Sequence, residues 1–169
     1  MRELLNHKSS MNTKTQTCNK YAIMNNSMIR KADEADLDQL VEIWYQASLQ
    51  AHDFIKKEYW KANKIAMRKQ YLPSSETYLL DSGVRILGFI ALVENDVAAI
   101  FVSPHGQGQG VGTLLLNHAK KMRHNLQLKV YKKNRPSVAF YQKKGFVEVS
   151  ELIDAETGET ELIMKWHKE

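Results

Sequence analysis

An α+β domain on a mixed sheet of six or seven strands is the fold that the sequence predicts. From Met28 onward, short stretches with the composition of β-strands are interspersed with longer stretches of helical periodicity. The 169 residues contain no internal repeat and no linker, and 43% of them are hydrophobic, which suffices for one buried core. We therefore expect one domain over residues 28–169.

The domain begins with a strand and a helix. Residues 28–31 form a short strand, and Asp33 or Asp36 is placed to cap the helix that follows. Between Leu37 and Ala51, apolar residues recur at the three- and four-residue spacing of a helix with one buried face. This pattern predicts an amphipathic helix that packs on the sheet.

A second helix and three strands follow. The helix spans residues 56–71 and stops before Pro73, because the residue that precedes a proline disfavours helical backbone. Strands at residues 77–80 and 85–93 are separated by a tight turn of Asp, Ser and Gly. Residues 97–102 are all apolar, which is typical of a strand that is buried on both faces of its sheet.

The second half of the domain has the same alternation. A helix starts near Val111, with apolar residues along one face, and residues 126–131 form the next strand. A short helix over residues 136–145 has proline in its first turn and glycine at its C-terminal cap. Two strands at residues 147–153 and 161–166 form a closing hairpin around a Thr-Gly turn.

Composition excludes several classes of protein. No apolar stretch approaches the roughly 18 residues that a membrane helix needs, so we expect no membrane-spanning segment. The single cysteine, Cys18, excludes an internal disulfide and a zinc site built on several thiolates, and it fits the reducing environment of the cytoplasm. The histidines have no evident carboxylate or thiolate partners, so we expect no metal ion.

The first 27 residues differ from the rest. Residues 1–27 are rich in Asn, Thr, Lys and Ser, show no apolar periodicity, and lack the apolar core of a signal peptide. We predict that they form a disordered polar tail, with Cys18 as an incidental thiol. The tail has four basic residues against one acidic residue, so it carries much of the formal net charge of +5.

Within the domain, the charges are sorted along the chain. No Asp or Glu lies between Asp96 and Glu148, whereas nine cations do. Such a stretch is either a site for a polyanion or a solvated basic face. The nine cations are Lys120, Lys121, Arg123, Lys129, Lys132, Lys133, Arg135, Lys143 and Lys144.

A glycine loop at residues 103–110 follows a predicted strand and leads into a helix. This is the setting in which bare backbone N–H groups and the helix dipole bind phosphate. The loop contains no lysine, which excludes a Walker motif, and its glycine spacing does not match a dinucleotide-binding fingerprint. What the sequence offers instead is Gln107-Gly-Gln-Gly-Val-Gly112.

This segment resembles the acyl-CoA loop of the GNAT superfamily of N-acetyltransferases. Asn134, then Phe140-Tyr141, then Gly145-Phe146 reproduce the downstream signature of the same superfamily. The stretches 52–60 and 130–136 further resemble small bacterial acetyltransferases of the YiaC/YjaB type. The resemblance implies a GNAT-like, mostly antiparallel sheet with about four helices.

The resemblance also implies how the acetyl donor, acetyl-CoA, is bound. The strand that ends at Phe101 and Val102 would splay from its neighbour, with a β-bulge that supplies an oxyanion donor, and the pantetheine arm would pair with its free edge. The pyrophosphate would lie on Gln107, Gly108, Gln109, Gly110, Val111, Gly112 and Thr113. Asn134 would bond the pantetheine through its amide. Lys143 or Arg135 would lie within reach of the 3′-phosphate.

Tyr141 is the predicted catalytic residue, because family members place a phenol at this position as general acid to the departing thiolate. The general base stays open. Members that act on peptide N-termini often carry a glutamate where this chain has Lys129, which argues against ribosomal-protein N-terminal specificity. The candidates that the sequence leaves for the base are His52, Glu58, Glu94, Asp96 or a chain of water molecules.

These features predict an acetyl-CoA-dependent N-acetyltransferase that acts on a primary amine, either a protein lysine or a small molecule. Transfer is expected to be direct, since the domain has no cysteine and no evident Ser-His pair. The alternatives are a non-catalytic acyl-CoA-binding module and an RNA-directed, aminoacyl-tRNA acetyltransferase. We expect no membrane partner, do not favour nucleic acid as a partner, and consider a homodimer.

Overall fold

Seven strands form one mixed sheet in the computed structural model, which describes residues 27–168. The strand order is β1-β2-β3-β4-β5-β7-β6, and the only parallel neighbours are β4 and β5. The predicted α+β fold with a mostly antiparallel sheet is therefore confirmed. The strands are β1 Met28–Lys31, β2 Glu76–Asp81, β3 Ile86–Val93, β4 Asp96–Val102, β5 Asn125–Tyr131, β6 Val147–Ile153 and β7 Thr160–His167.

Four helices pack on the sheet, and within residues 27–168 none is long and apolar enough to cross a lipid bilayer. Their bounds are α1 Leu37–Ala51, α2 Lys57–Ala62, α3 Val111–Met122 and α4 Arg135–Lys143. The predicted tail, apart from Ser27, lies outside the described residues, and so does Cys18.

The entry to α1 is fixed by aspartates, as the sequence predicts. Asp33 accepts a hydrogen bond from the Ala35 N–H, and Asp36 accepts one from the Asp33 N–H, which together form a capping box around a 3₁₀ turn at Glu34–Asp36. Asp36 also pairs with the Arg30 guanidinium of β1 at 2.7 Å. The first helix is therefore tied to the edge of the sheet at its N-terminus.

The second helix is broken, whereas the sequence predicts one helix over residues 56–71. α2 ends before Asn63, and the chain continues as a short helical turn at Lys64–Ala66 and a π-helical turn at Met67–Tyr71. The Asn63 side-chain amide donates to the Tyr59 carbonyl at 3.0 Å. The same carbonyl also accepts the Asn63 backbone N–H at 3.2 Å, so the side-chain bond accompanies the interruption without replacing the backbone bond.

The core consists of two apolar clusters, one on each face of the sheet. The first packs α3 and α4 against the sheet through residues such as Leu115, Leu116 and Phe146. The second packs α1 and α2 against the opposite face through residues such as Leu40, Trp44 and Trp60. Phe89 and Ile90, adjacent on β3, lie in opposite clusters and are both fully buried, because successive side chains point to opposite faces.

The strand buried on both faces is β3, and the prediction of this role for residues 97–102 is wrong. Seven of the eight residues of Ile86–Val93 are buried, whereas β4 alternates at its start and is only partly buried from Ala99 onward. β3 packs against α1 on one face of the sheet and against α3 on the other. The far half of β4 borders a cavity, which explains why an all-apolar sequence there stays partly accessible.

β4 and β5 separate along their length. Their parallel pairing is confined to Asp96 with Gln127 and Val97 with Leu128. Against β3, the register of β4 shifts between Ala99 and Val97, which leaves Ala98 as the extra residue of a β-bulge. The predicted splay and the predicted bulge are thus both present, and together they open the sheet between its two central strands.

Candidate active site

A cavity of about 750 Å³ occupies the gap between the splayed strands. Its walls come from α1, α2 and the turns after it, β3, β4, the glycine loop, the start of α3, β5, α4, the turn between β6 and β7, and β7. One end, the glycine end, is formed by residues 106–113. The other, the aromatic end, is formed by Tyr59, Trp60, Tyr71 and Tyr131. The cavity therefore joins a backbone-lined region to a region lined by large side chains.

The glycine end has the backbone geometry of an anion site. Gly108 and Gly110 adopt positive φ angles of 67° and 81°, and a Cβ on either would meet no atom within 4 Å. The first backbone hydrogen bond of α3 runs from the Leu114 N–H to the Gly110 carbonyl at 3.0 Å. The preceding N–H groups at the helix N-terminus therefore have no intrahelical acceptor and are available to a phosphate oxygen.

Gly106 has a different role in the same loop. A Cβ at this position would lie 2.6 Å from the Leu87 carbonyl oxygen of β3. The loop is thus pressed against the central strand, and only glycine permits that approach. This close approach fixes the position of the loop against β3.

Of the residues predicted to bind the pantetheine arm and the pyrophosphate, all but one line the cavity, whereas Arg135 and Lys143, predicted for the 3′-phosphate, do not. The exception is Gln109, whose side-chain amide donates to the His105 carbonyl inside the loop. Gln107 also makes a side-chain contact outside the loop, to Gln50 of α1 at 2.9 Å. The lining residues of the predicted set are Phe101, Val102, Gln107, Gly108, Gly110, Val111, Gly112, Thr113, Asn134 and Tyr141.

Asn134 lies at the N-terminus of α4 and is 7% exposed. Its Oδ1 accepts from the Ser137 N–H at 3.2 Å, so it caps the helix. Its Nδ2 contacts Nε2 of His52, which lies just beyond α1, at 3.2 Å. Because the amide nitrogen can only donate, the His52 Nε2 accepts, and the imidazole proton resides on Nδ1.

His52 is buried among aromatic rings, with 8% of its surface exposed. It stacks on Trp60 with ring centroids 5.2 Å apart and contacts Tyr131 edge-on at 5.2 Å. Burial lowers the pKa of His52 to about 4, so the ring is neutral at neutral pH. Its buried Nδ1 has no hydrogen-bond partner among residues 27–168.

Tyr141 is held by α4 with 8% of its surface exposed. Its ring packs edge-on against Phe140 and Phe146, at centroid distances of 5.3 and 5.7 Å. Burial raises the pKa of the Tyr141 phenol above its ordinary value, so the hydroxyl stays protonated at neutral pH. A rigid, protonated phenol at the cavity wall has the properties of a proton donor.

Carboxylates surround the aromatic end. The Tyr59 hydroxyl donates to Glu156 at 2.7 Å, and the Tyr131 hydroxyl donates to Asp154 at 2.8 Å. Both carboxylates lie in the turn between β6 and β7, so these bonds hold that hairpin to α2 and β5. Glu156 and a further carboxylate, Glu161 of β7, line the cavity itself.

The predicted candidates for a general base are scattered in the structure. Of the four side chains, only His52 lines the cavity, and Glu58, Glu94 and Asp96 do not. Asp96 instead accepts from the Gln127 amide at 3.1 Å, at the start of β4. Sequence reasoning missed both cavity carboxylates, and only the register of β7 against β5 would have placed Glu161 beside the cavity.

The acid-free cationic stretch is not one continuous basic surface. Lys132 pairs with Glu151, Lys133 pairs with Glu159, and Arg123 pairs with Glu76 at 2.5 Å. Lys120 lies over the Trp166 ring at 4.4 Å. Acids from elsewhere in the chain thus neutralise part of it. No group of three His, Cys, Asp or Glu side chains in the described part of the chain is placed to hold a metal ion.

Comparison with known proteins identifies the family of the domain that contains this cavity. A family model described as an acetyltransferase (GNAT) domain matches residues 42–167. The chain is 33% identical over 140 residues to the peptidyl-lysine N-acetyltransferase YiaC of Escherichia coli, a match that covers 82% of this chain and 96% of that protein.

Solved structures agree in fold. The solution structure of apo YjaB from Escherichia coli superposes with a TM-score of 0.74 at 27% identity, covering 82% of this chain and 96% of that one. The PaiA N-acetyltransferase of Thermoplasma acidophilum, solved in complex with coenzyme A, superposes with a TM-score of 0.70 at 20% identity. That match covers 84% of this chain and 99% of the other.

Proposed function

The chain belongs to the GNAT acetyltransferase family and transfers an acetyl group from acetyl-CoA to an amine, and from this premise we propose that its acceptor is the side-chain amine of a lysine in a protein or peptide. The relative YiaC, at 33% identity, is named a peptidyl-lysine N-acetyltransferase. These relationships do not favour a non-catalytic acyl-CoA-binding module or an RNA-directed enzyme. A homodimer and a cytoplasmic location stay predictions.

The observation that carries the proposal is the chemistry of the aromatic end. A lysine side chain is a flexible apolar stem with a cationic head. Aromatic rings attract such a head through their negative faces, and carboxylates attract its charge. The aromatic end offers both, since Tyr59, Trp60 and Tyr131 lie beside Glu156 and Glu161. The same end opens to solvent at Tyr71, which is 51% exposed.

The residues at the glycine end fit the acetyl donor. In our proposal the open space over Gly108 and Gly110 admits the pyrophosphate, and the N–H groups at the start of α3 bind it. Phe101 and Val102, on the edge of β4 that has no strand partner, pair with the pantetheine arm. The bound donor supplies an activated thioester.

The reaction in this proposal needs two further groups from the chain. A backbone N–H at the Ala98 bulge donates to the carbonyl oxygen, where negative charge develops. Tyr141 gives its proton to the departing thiolate, which its raised pKa allows because the phenol is still protonated at neutral pH. Asn134 has one amide proton not used by His52, and it bonds the pantetheine.

The test is acetylation of a short peptide that has one lysine and a blocked N-terminus. The full chain, acetyl-CoA and peptide are mixed, released thiol is followed with time, and the modified site is located by mass spectrometry. We expect acetylation of the lysine. Two matched acceptors serve as controls: the same peptide without lysine but with a free N-terminus, and a small diamine. Acetylation of either control in preference to the lysine peptide would contradict the proposal.

A further inference from the structure

We infer that Glu161 is the general base of this enzyme, the group that removes the proton from the acceptor ammonium. The inference rests on the established transfer to an amine, and it holds for whichever amine the enzyme accepts. It concerns a residue on β7, the strand beyond the two that separate to form the cavity.

Strand register places Glu161 beside the cavity. Glu161 lies directly opposite Tyr131 in the antiparallel pairing of β5 with β7. Paired residues of neighbouring strands share one face of the sheet, so Glu161 is on the same face as Tyr131 and, two residues along β5, Lys129. This is the face covered by α1 and α2, which also contains Phe101 of β4. Glu161 therefore borders the space into which β4 and β5 open.

The hydrogen-bond pattern singles out Glu161 from the other cavity carboxylate. Glu156 accepts from the Tyr59 hydroxyl at 2.7 Å and is thus engaged in holding the hairpin. The side-chain carboxylate of Glu161 has no hydrogen-bond or ion-pair partner in the part of the chain that the structure describes. A carboxylate that lines a cavity and lacks a protein partner is free to bind an incoming ammonium group.

The other acid–base groups of the cavity are less suited to the task. His52 uses its Nε2 to accept from Asn134, and Tyr141, Tyr59 and Tyr131 all have pKa values raised by burial, so they are acids in their resting form. Glu161 places a carboxylate on the same face of the sheet as Lys129, from the neighbouring strand.

The electrostatic surroundings of Glu161 favour proton uptake. Burial raises the pKa of Glu161, and the negative charge of Asp154 raises it further, whereas the Lys129 ammonium lowers it. The groups that face it are Lys129 and Tyr131 of β5, with Asp154 and Glu156 of the β6–β7 turn; its partner on β6, Leu152, is apolar. A carboxylate with a raised pKa is a stronger base than an ordinary glutamate.

The proton balance of the step is complete. The Glu161 carboxylate takes one proton from the acceptor ammonium and becomes a carboxylic acid. The neutral amine uses its freed electron pair to form the C–N bond to the thioester carbonyl carbon, and the C–S bond breaks with its electron pair on sulfur. Tyr141 donates its proton to that sulfur, and the second proton on nitrogen passes to the Tyr141 oxygen. Glu161 then releases its proton to solvent.

The experiment compares Glu161→Gln, Glu161→Asp and Glu148→Gln in the full chain, with an amine that the wild type acetylates. At neutral pH we expect Glu161→Gln to lower kcat about 10²–10⁴-fold, the usual contribution of a general base. The KM for acetyl-CoA should not change, because Glu161 lies on β7 and is not part of the glycine loop. Glu161→Asp should restore part of the loss. Glu148 is an exposed carboxylate on β6 and serves as the matched control.

The pH profile distinguishes a base from a residue that only binds the amine. Wild-type kcat/KM should fall as pH falls through the raised pKa of Glu161. In Glu161→Gln this fall at the pKa of Glu161 should be absent. Its kcat/KM should instead rise about tenfold per pH unit up to the pKa of the amine, because the neutral amine then forms only by loss of a proton to solvent. A higher KM for the amine with unchanged kcat and an unchanged profile would overturn the inference.

Two further results are informative. Thermal unfolding identifies a variant that fails to fold, and in that case the Glu161→Asp variant and the wild-type profile decide. If the wild type acetylates only small amines, the proposed lysine acceptor is refuted. The Glu161 variants are then compared with that small amine, and the same kinetic outcomes decide the assignment. Full activity of folded Glu161→Gln would refute Glu161 as the base whatever the acceptor.

Discussion

The two ends of the cavity are built in different ways. The glycine end uses backbone from one continuous segment, residues 106–113, whose glycines allow either a positive φ angle or a close approach to β3. The aromatic end uses side chains from α2, β5, β7 and the turn between β6 and β7, which are far apart in the sequence. The glycine end is thus a motif of one short segment, whereas the residues of the aromatic end come together only when the sheet has formed.

In the proposed function, this difference follows from what each end would bind. A diphosphate is the same in every reaction of the donor, and backbone N–H groups in a fixed loop are sufficient for it. An acceptor amine differs between enzymes, and side chains on separate elements can be exchanged without disturbing the loop. Predictions about the two ends therefore differ in kind: the glycine end is tested through backbone fit, and the aromatic end through charge and protonation.

The largest expected effect comes from Tyr141, between the two ends. Tyr141→Phe removes the phenolic proton but keeps the ring between Phe140 and Phe146. We expect kcat to fall about 10²–10⁴-fold. The KM for acetyl-CoA and the melting temperature should stay as in the wild type, because packing is unchanged. Steady-state kinetics and thermal unfolding of the same preparation check both points.

A control for this substitution is Tyr45→Phe. Tyr45 lies on α1 outside the cavity, with the Lys64 ammonium 4.4 Å from its ring centroid. Loss of its hydroxyl should leave kcat unchanged. Turnover by Tyr141→Phe within twofold of the wild type would mean that the thiolate departs without this acid.

The next effect concerns the fit of the glycine loop to the sheet. Gly106→Ala would place a Cβ 2.6 Å from the Leu87 carbonyl oxygen, a backbone atom that cannot move without shifting β3. We expect a loss of about 1–3 kcal/mol in the free energy of unfolding, as for overpacking elsewhere. Urea unfolding measures it. Affinity for coenzyme A, measured by calorimetry, should fall too as the loop is displaced.

Gly112→Ala is the matched comparison for stability. A Cβ at Gly112 would meet the Phe140 ring at 3.5 Å, an ordinary contact, and alanine is a better helix former than glycine. We expect no loss of stability in this variant. If the two alanine substitutions destabilised the protein equally, the close approach of the loop to β3 would not be the reason for glycine at position 106.

Much of the fold could be predicted from sequence because its signals are local. The strands and helices follow apolar periodicity and caps, such as the aspartates before α1 and Gly145 after α4, where φ is +81°. The break at Asn63 and the accessibility of β4 were mispredicted. The helix break is a change from α-helical to π-helical turns within one helical segment, which apolar periodicity does not resolve, and the accessibility of β4 depends on a cavity that opens only when β4 and β5 diverge.

The same distinction holds for the site. The loop and Asn134, which line the cavity, were identified through their resemblance to short motifs of the superfamily. Glu161 and Glu156 were missed, because a glutamate in a strand or a turn has no local feature that marks it as cavity-lining. The partial neutralisation of the cationic stretch was missed for a related reason. Its partners, such as Glu151 and Glu159, lie outside the acid-free segment and meet it only through sheet pairing.

The smallest of the three effects tests the junction of the two ends, where His52 contacts Asn134. His52 has a pKa of about 4 in the folded protein and an ordinary pKa of about 6.5 when unfolded. Between these values the unfolded state binds more protons than the folded state. The contribution of His52 to stability is therefore complete above the unfolded pKa and is lost as pH falls toward about 4.

The measurement is urea unfolding of the wild type and His52→Gln across this range. Between about pH 7 and about pH 5, the free energy of unfolding of the wild type should fall by about 2 kcal/mol more than that of the variant. In this range the unfolded state takes up a proton on His52 that the folded state does not. His124→Gln, at an exposed position, should follow the wild type. Parallel curves for all three proteins would mean that His52 can be protonated without leaving its aromatic surroundings. A protonated His52 could not accept a hydrogen bond from Asn134, so the contact between the two ends of the cavity would then be lost at low pH without a cost in stability.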